Sequence, residues 1–199
     1  MGQIIGITGG IASGKSSVSL YLQELGFTIV DADLASRAVV EPGEEAYQQV
    51  VSAFGEEILL ADGTIDRAAL GSIIFHDQEK RLLLNGIVHP AVRKWMLLKT
   101  EEALAAGEET VFMDIPLLFE SKLTYMVEKT LLIYADERNQ LKRLMNRNGL
   151  SEADALARIH SQMPLADKKA LADAVIDNNG ELTETKKQVR AILNDWHIL

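Results

Sequence analysis

Gly9, Gly14, Lys15 and Ser16 fall at the spacing G-x-x-x-x-G-K-[ST] within Gly9-Gly10-Ile11-Ala12-Ser13-Gly14-Lys15-Ser16-Ser17. The chemistry that needs this spacing is phosphate binding. Glycines allow positive φ and let the backbone come close to a ligand. The N–H groups from Gly10 through Ile11, Ala12, Ser13, Gly14 and Lys15 to Ser16 and Ser17 can then turn inward as an anion nest. Such a nest at a helix N-terminus is further favoured by the helix dipole. Lys15 would set a point charge against the outer phosphates, and the Ser16 hydroxyl would be a ligand for Mg²⁺. The plain alternative is a glycine-rich turn between a strand and a helix.

Three carboxylates stand where a phosphate chemistry would use them. Asp31 and Asp33 follow the apolar run Phe27–Val30, and on an extended chain they point to one side. Asp33 would orient, or take a proton from, a hydroxyl attacking a γ-phosphate, or it is the N-cap of a helix beginning at Leu34. Asp114 closes Val111-Phe112-Met113, a position that phosphate-loop enzymes use to hold an Asp near Mg²⁺. Arg143 and Arg147 are one helical turn apart, as are Arg158 and Gln162. Guanidinium forks suit phosphate oxygens, although a solvated basic face is the ordinary alternative. His89, in Leu84-Asn85-Gly86-Ile87-Val88-His89-Pro90, reads by itself as structural or surface-exposed. His76, His160 and His197 are scattered, with no pair at metal-ligand spacing.

The elements that must position these groups follow from periodicity. Ile4, Ile5 and Ile7 read as a buried strand, and Val18, Leu22 and Leu25 as a helix ending near Gly26. Phe27–Val30 makes the next strand, so the start of the chain is a right-handed βαβ unit. From Glu41 to about Gly107 the pattern is helical, broken by turns at Pro42-Gly43 and Asp62-Gly63. Asp77 would cap a helix carrying Leu82–Leu84, and Pro90 would begin another through Val92, Trp95 and Leu98. Strands resume at Val111–Asp114, Val127–Tyr134 and Ala174–Asp177. Between the last two, Asp136 starts a basic helix closed by Gly149. Ser151 and Asp154 resemble a capping box for the next helix, which stops at Pro164. If the arginines lie on the facing sides of these two helices, the pair forms a lid over a triphosphate.

The 199 residues suit one sizeable domain, and 47% hydrophobic with 25% charged residues is ordinary for a globular chain. No apolar run reaches membrane-spanning length, so no membrane partner is expected. A net charge of −9 argues against general nucleic-acid binding. The absence of cysteine excludes disulfides and thiolate metal sites and fits a reducing cytoplasm.

Taken together and in order, these motifs resemble the dephospho-coenzyme A kinase family over nearly the whole chain. The resemblance rests on Thr8-Gly9-Gly10-Ile11 with its following Gly-Lys-Ser, Asp31-Ala32-Asp33 with Arg37, and Ile87-Val88-His89-Pro90. It also rests on Pro116-Leu117-Leu118-Phe119-Glu120, Arg143 with Arg147, and Asp177-Asn178-Asn179-Gly180. Ala12 stands where the family commonly has Gly, and Ser17 where Thr is frequent. The resemblance implies an α/β P-loop NTPase fold: three α/β/α layers, a mostly parallel five-stranded sheet, a helical substrate-binding insertion and a helical lid. Residues 1–33, 108–135 and 172–199 would form the nucleotide-binding core, 34–107 the insertion and 136–171 the lid. It implies transfer of the γ-phosphoryl group of ATP, with Mg²⁺, to the 3′-hydroxyl of dephospho-CoA. Asp33 becomes the base or hydroxyl-orienting residue, with Lys15 and Arg143 stabilising charge. Arg143 and Arg147 would contact ATP phosphates, and Asn178 or its neighbours would lie by the adenine. Arg37, His89, Pro116, Leu117 and Leu118 would serve the substrate, and Ser16 and Asp114 the metal. A monomer or weak homo-oligomer is expected. The rival readings are another P-loop nucleotide or small-molecule kinase and a GTPase-like switch. For the switch, the N/T-K-x-D guanine motif is missing, since Asn178-Asn179-Gly180-Glu181 lacks both the Lys and the Asp.

Overall fold

Ile5 and Ile7 alternate with Gly6 and Thr8 along β1 (Gln3–Thr8), and all four are buried. Burial on both faces is what a central strand of a parallel sheet requires. The computed structural model describes residues 2–75 and 77–199, so His76 lies outside the described residues. The other strands are β2 (Thr28–Asp31), β3 (Thr110–Asp114), β4 (Lys129–Tyr134) and β5 (Ala174–Asp177), in the order β2-β3-β1-β4-β5. β1 runs parallel to β3 and β4, and β4 to β5. The five-stranded sheet is parallel throughout, where a mostly parallel one was expected.

The helices cover the two faces. α1 (Lys15–Glu24) and α9 (Leu182–Asp195) put Val18, Leu22, Val189 and Leu193 against Ile5, Ile7, Phe112, Leu131 and Ile133. On the other side of β1, a Cβ on Gly6 would come within 3.0 Å of Leu118 Cδ2 and 3.1 Å of a Val127 methyl. Glycine there lets the segment leaving β3 pack directly on the strand. The chain leaves β1 toward the β2 edge and leaves β3 toward the β4 side. Right-handed connections that run in opposite directions lie on opposite faces of the sheet, which opens a crevice at the carboxyl ends of β1 and β3, the usual ligand position in such sheets.

The chain divides into two compact units, Met1–Val30 with Thr100–Leu199, and Asp31–Lys99. The second unit holds α2 (Ala32–Ala38), α3 (Glu45–Phe54), α4 (Arg67–Phe75) and most of α5 (Gln78–Ala105). Its own core gathers Val50, Phe54, Ile58 and Leu70, with Ile73, Leu84 and Ile87 against them. Asp77 caps α5 by accepting the Lys80 N–H at 3.0 Å. The expected break at Pro90 is not there: α5 is a single helix of 28 residues with Pro90 inside it. Proline removes one hydrogen bond and crowds the carbonyl four residues earlier, which here belongs to Gly86. Packing along the rest of a long helix outweighs that local cost.

Three helices lie between β4 and β5: α6 (Glu137–Asn148), α7 (Glu152–His160) and α8 (Leu165–Lys169). Asp136 caps α6, and Gly149 ends it in the left-handed conformation. Ser151 caps α7 by accepting the Asp154 N–H at 3.1 Å and donates its hydroxyl to the Asp154 carboxylate at 2.6 Å. The shorter Asp thus turns to the serine hydroxyl rather than reaching the N-cap backbone as a Glu would. The α6–α7 interface is apolar: Leu144, Ala155 and Ile159, flanked by Leu141 and Met145. The expected arginines on facing sides are therefore corrected. Buried methyl groups stabilise that interface, and Arg147 and Arg158 are exposed.

Candidate active site

Strand β1 ends at Thr8, helix α1 begins at Lys15, and the six residues between them form the phosphate loop. Gly14 takes φ 88°, and a Cβ on it would collide with the Asn178 amide nitrogen. Glycine is required there on both counts. Ala12 takes φ 56°, in the left-handed region where a side chain costs about 1–2 kcal/mol. That geometry explains why glycine suits position 12 and what Ala12 has to absorb.

Side chains from the α6–α8 region hold this loop peptide by peptide. Gln140 Nε2 donates to the Ile11 carbonyl at 2.7 Å, and the Ile11 N–H donates to Gln162 Oε1 at 2.8 Å. Arg143 donates to the Ser13 carbonyl at 3.4 Å and to the Asn178 carbonyl at 2.6 Å. Asn178 Nδ2 donates to the same Ser13 carbonyl at 2.7 Å, while its Oδ1 accepts the Thr185 hydroxyl at 2.7 Å. The buried Lys168 donates to the Gly9 carbonyl at 2.8 Å and pairs with Glu120 at 2.8 Å. Among the described residues, the N–H groups of Ala12, Gly14, Lys15 and Ser16 donate to no protein acceptor. Those four are the cradle available to an anion.

Lys15 and Asp114 form an ion pair between the first residue of α1 and the last of β3. Register places Asp114 beside Ile7, and its second oxygen accepts the Ser19 hydroxyl at 2.7 Å. Ser16 is exposed on the first turn of α1, and its hydroxyl has no partner among the described residues. Ser16 and Asp114 offer the hard oxygen donors that Mg²⁺ prefers. A cation that takes most of its shell from phosphates and water needs no larger carboxylate cluster, and none exists among the described residues. A cleft of about 240 Å³ opens beside Gly10, walled by Gln140, Gln162 and Leu165.

The phosphate loop, Asp114, Arg143 and Asn178 thus come together in the first unit. Asp33, Arg37 and His89 belong to the second. The cap of α2 is Asp31, not Asp33: its carboxylate accepts the N–H groups of Asp33 at 2.6 Å and Leu34 at 3.1 Å. Asp31 still has extended dihedrals and so sits at the true boundary. Asp33 is exposed in the first helical turn, and its carboxylate has no partner among the described residues. Arg37 lies one turn further along the same face of α2. His89 is exposed on α5.

Two of the expected site residues have little exposed side-chain surface. Leu118 is 0% exposed, packed under Gly6, whereas Leu117 is 41% exposed. Pro116 contributes its carbonyl, which accepts the Thr8 hydroxyl at 3.1 Å. Asn178 is 7% exposed, with its amide committed to Ser13 and Thr185, so it shapes the loop from beneath. Among the described residues, Arg147 reaches only its neighbour Asn148. Gln140, Lys168 and Ser19 were not anticipated, and Gln162, noted only as the partner of Arg158 in spacing, was not expected to hold the loop. Ser19 has a local signal, one helical turn after Lys15, and Gln140 lies one turn before Arg143. Lys168 shares a helix face with the buried Leu165.

Comparison with known proteins agrees with this geometry. Residues 3–184 match the family model described as dephospho-CoA kinase. A dephospho-CoA kinase of Geobacillus kaustophilus is 57% identical over 195 residues, covering 98% of this chain and 97% of its own. A solved structure from Thermus thermophilus superposes with a TM-score of 0.79 at 36% identity, covering 98% and 97%. A dephospho-CoA kinase structure from Campylobacter jejuni gives 0.76 at 28% identity, covering 98% of both chains. With its phosphate loop intact and the match running through sheet, loop and helices alike, the chain belongs to the dephospho-CoA kinase family.

Proposed function

We propose that this protein transfers the γ-phosphoryl group of ATP to the ribose 3′-hydroxyl of dephospho-CoA, giving CoA and ADP in the last step of CoA biosynthesis. The observation that carries the reading is a phosphate loop with free cradle N–H groups and the Lys15–Asp114 pair, in a chain of this family. In the transfer, the acceptor oxygen forms a bond to the γ-phosphorus as the bond to the ADP oxygen breaks. Asp33 takes the hydroxyl proton, as its unengaged carboxylate allows. Lys15 leaves Asp114 for the phosphates, and Arg143 adds charge from the side of Ser13. Such chemistry gains chiefly from positioning and charge neutralisation. Ser16 and Asp114 would hold Mg²⁺, which when bound neutralises phosphate charge. Arg147 would reach ATP phosphates, and Arg37 and His89 would bind the acceptor.

The proposal includes a cytoplasmic monomer or weak homo-oligomer with no nucleic-acid partner, consistent with zero cysteines and a net charge of −9. Among the described residues no helix is long and apolar enough to cross a membrane. Competition kinetics test the acceptor. With ATP fixed, dephospho-CoA should outcompete nucleoside monophosphates as substrate, and the reverse preference would remove the reading.

A further inference from the structure

The second unit contains a cleft of about 300 Å³ between the start of α3 and the middle of α5. Its walls are apolar where Val39, Ile87, Pro90, Trp95 and Leu98 meet. Polar groups stand among them: Glu44 and Glu45 before and at the start of α3, Gln49 one turn on, and Lys94 on α5. Val39 is buried, Trp95 partly so, and Leu98 is 49% exposed. Two acids against one lysine make this a poor home for a diphosphate. Apolar walls with carboxylate and amide groups to accept and donate hydrogen bonds suit an uncharged chain carrying amides. Pro90, in the wall, follows directly on His89 along α5.

Dephospho-CoA has one part of that chemistry, its pantetheine arm: two amides, a hydroxyl and alkyl segments, without charge. We propose that this cleft holds the pantetheine arm, an assignment that rests on dephospho-CoA being the acceptor. Gly86 lines the cleft, and a Cβ built on it meets nothing within 4 Å. A larger side chain there fills the cleft without local strain. Leucine is also a better helix former than glycine, so the change does not work through unfolding.

The test is Gly86→Leu, assayed with two acceptors: dephospho-CoA, and AMP, which keeps the ribose but lacks the arm. The expected result is a loss of about 10- to 100-fold in kcat/KM for dephospho-CoA, carried by KM. The AMP rate and the KM for ATP stay within twofold, and Tm does not fall. Equal loss on both acceptors, or none on either, overturns the assignment. A wild-type enzyme inactive on dephospho-CoA would instead overturn the kinase reading, so the two failures are distinguishable. A second measurement avoids the variant: free pantetheine should change the tryptophan fluorescence of the wild type and not of Trp95→Phe. No change in the wild type overturns the proposal.

Discussion

Replacing Lys168 with methionine keeps an unbranched side chain, one heavy atom shorter, and removes the charge from a fully buried position. In the native protein its ammonium is shared by the Gly9 carbonyl at 2.8 Å, Glu120 at 2.8 Å and the Pro116 carbonyl at 3.5 Å. Without it, Glu120 keeps only the Met163 N–H, at 3.2 Å, and its other oxygen has no partner among the described residues. Breaking a buried pair by removing one member costs about 3–5 kcal/mol. Glu120 is 21% exposed, so water relieves part of this, and a loss of about 2–4 kcal/mol follows. For a chain of this length each kcal/mol moves Tm by about 2–4 °C, giving a fall of roughly 5–15 °C. Urea unfolding of Lys168→Met, Glu120→Gln and the double variant measures it. The double variant should be more stable than the sum of the singles allows, by about 1–3 kcal/mol. Because Gly9 begins the phosphate loop, KM for ATP should rise in Lys168→Met more than KM for the acceptor. A stability loss below about 1 kcal/mol, or strict additivity, would refute the reasoning.

Lys15→Ala should lower kcat by about 100-fold or more, since the phosphates lose their point charge, while the fold persists; near-normal kcat would remove the phosphate-loop argument. Asp33→Asn should cut kcat strongly with little change in Tm, because Asp31 supplies the helix cap. The reverse pattern would make Asp33 structural. In the second unit the Thr64 hydroxyl and N–H hold the Asp62 carboxylate below its ordinary value of 3.8. A depressed folded value contributes stability above the unfolded value and loses it as pH falls through the lower one. The stability gap between wild type and Thr64→Ala should therefore be constant near neutrality and narrow below about pH 4. A gap independent of pH would contradict this.

Much of this fold could be read before any coordinates, because its signals are local. An isoleucine run, a glycine-rich turn and an apolar heptad-like spacing identify β1, the loop and α1 with no partner needed. Asp114 was legible for the same reason, as the carboxylate ending an apolar strand. The misreadings arose where local rules meet tertiary competition. Pro90 normally starts a helix, yet packing of Leu84, Ile87 and Val88 in the second unit's core keeps α5 continuous through it. Arginines one turn apart announce a shared face without saying which way it points, and Leu144 and Ile159 take the inner face of α6 and α7. Asp31 and Asp33 are equally good caps by type, and only the dihedral at Asp31 decides between them. Gln140, Gln162 and Lys168 are far from the loop in sequence, so no spacing could reveal that they hold its peptides.

The central claim is most directly tested by incubating the purified protein with ATP, Mg²⁺ and dephospho-CoA and locating the added phosphate by tandem mass spectrometry. The expected product carries one new phosphate on the ribose 3′-hydroxyl, formed in step with ADP. ADP without that product, or phosphate on any other hydroxyl, would contradict it.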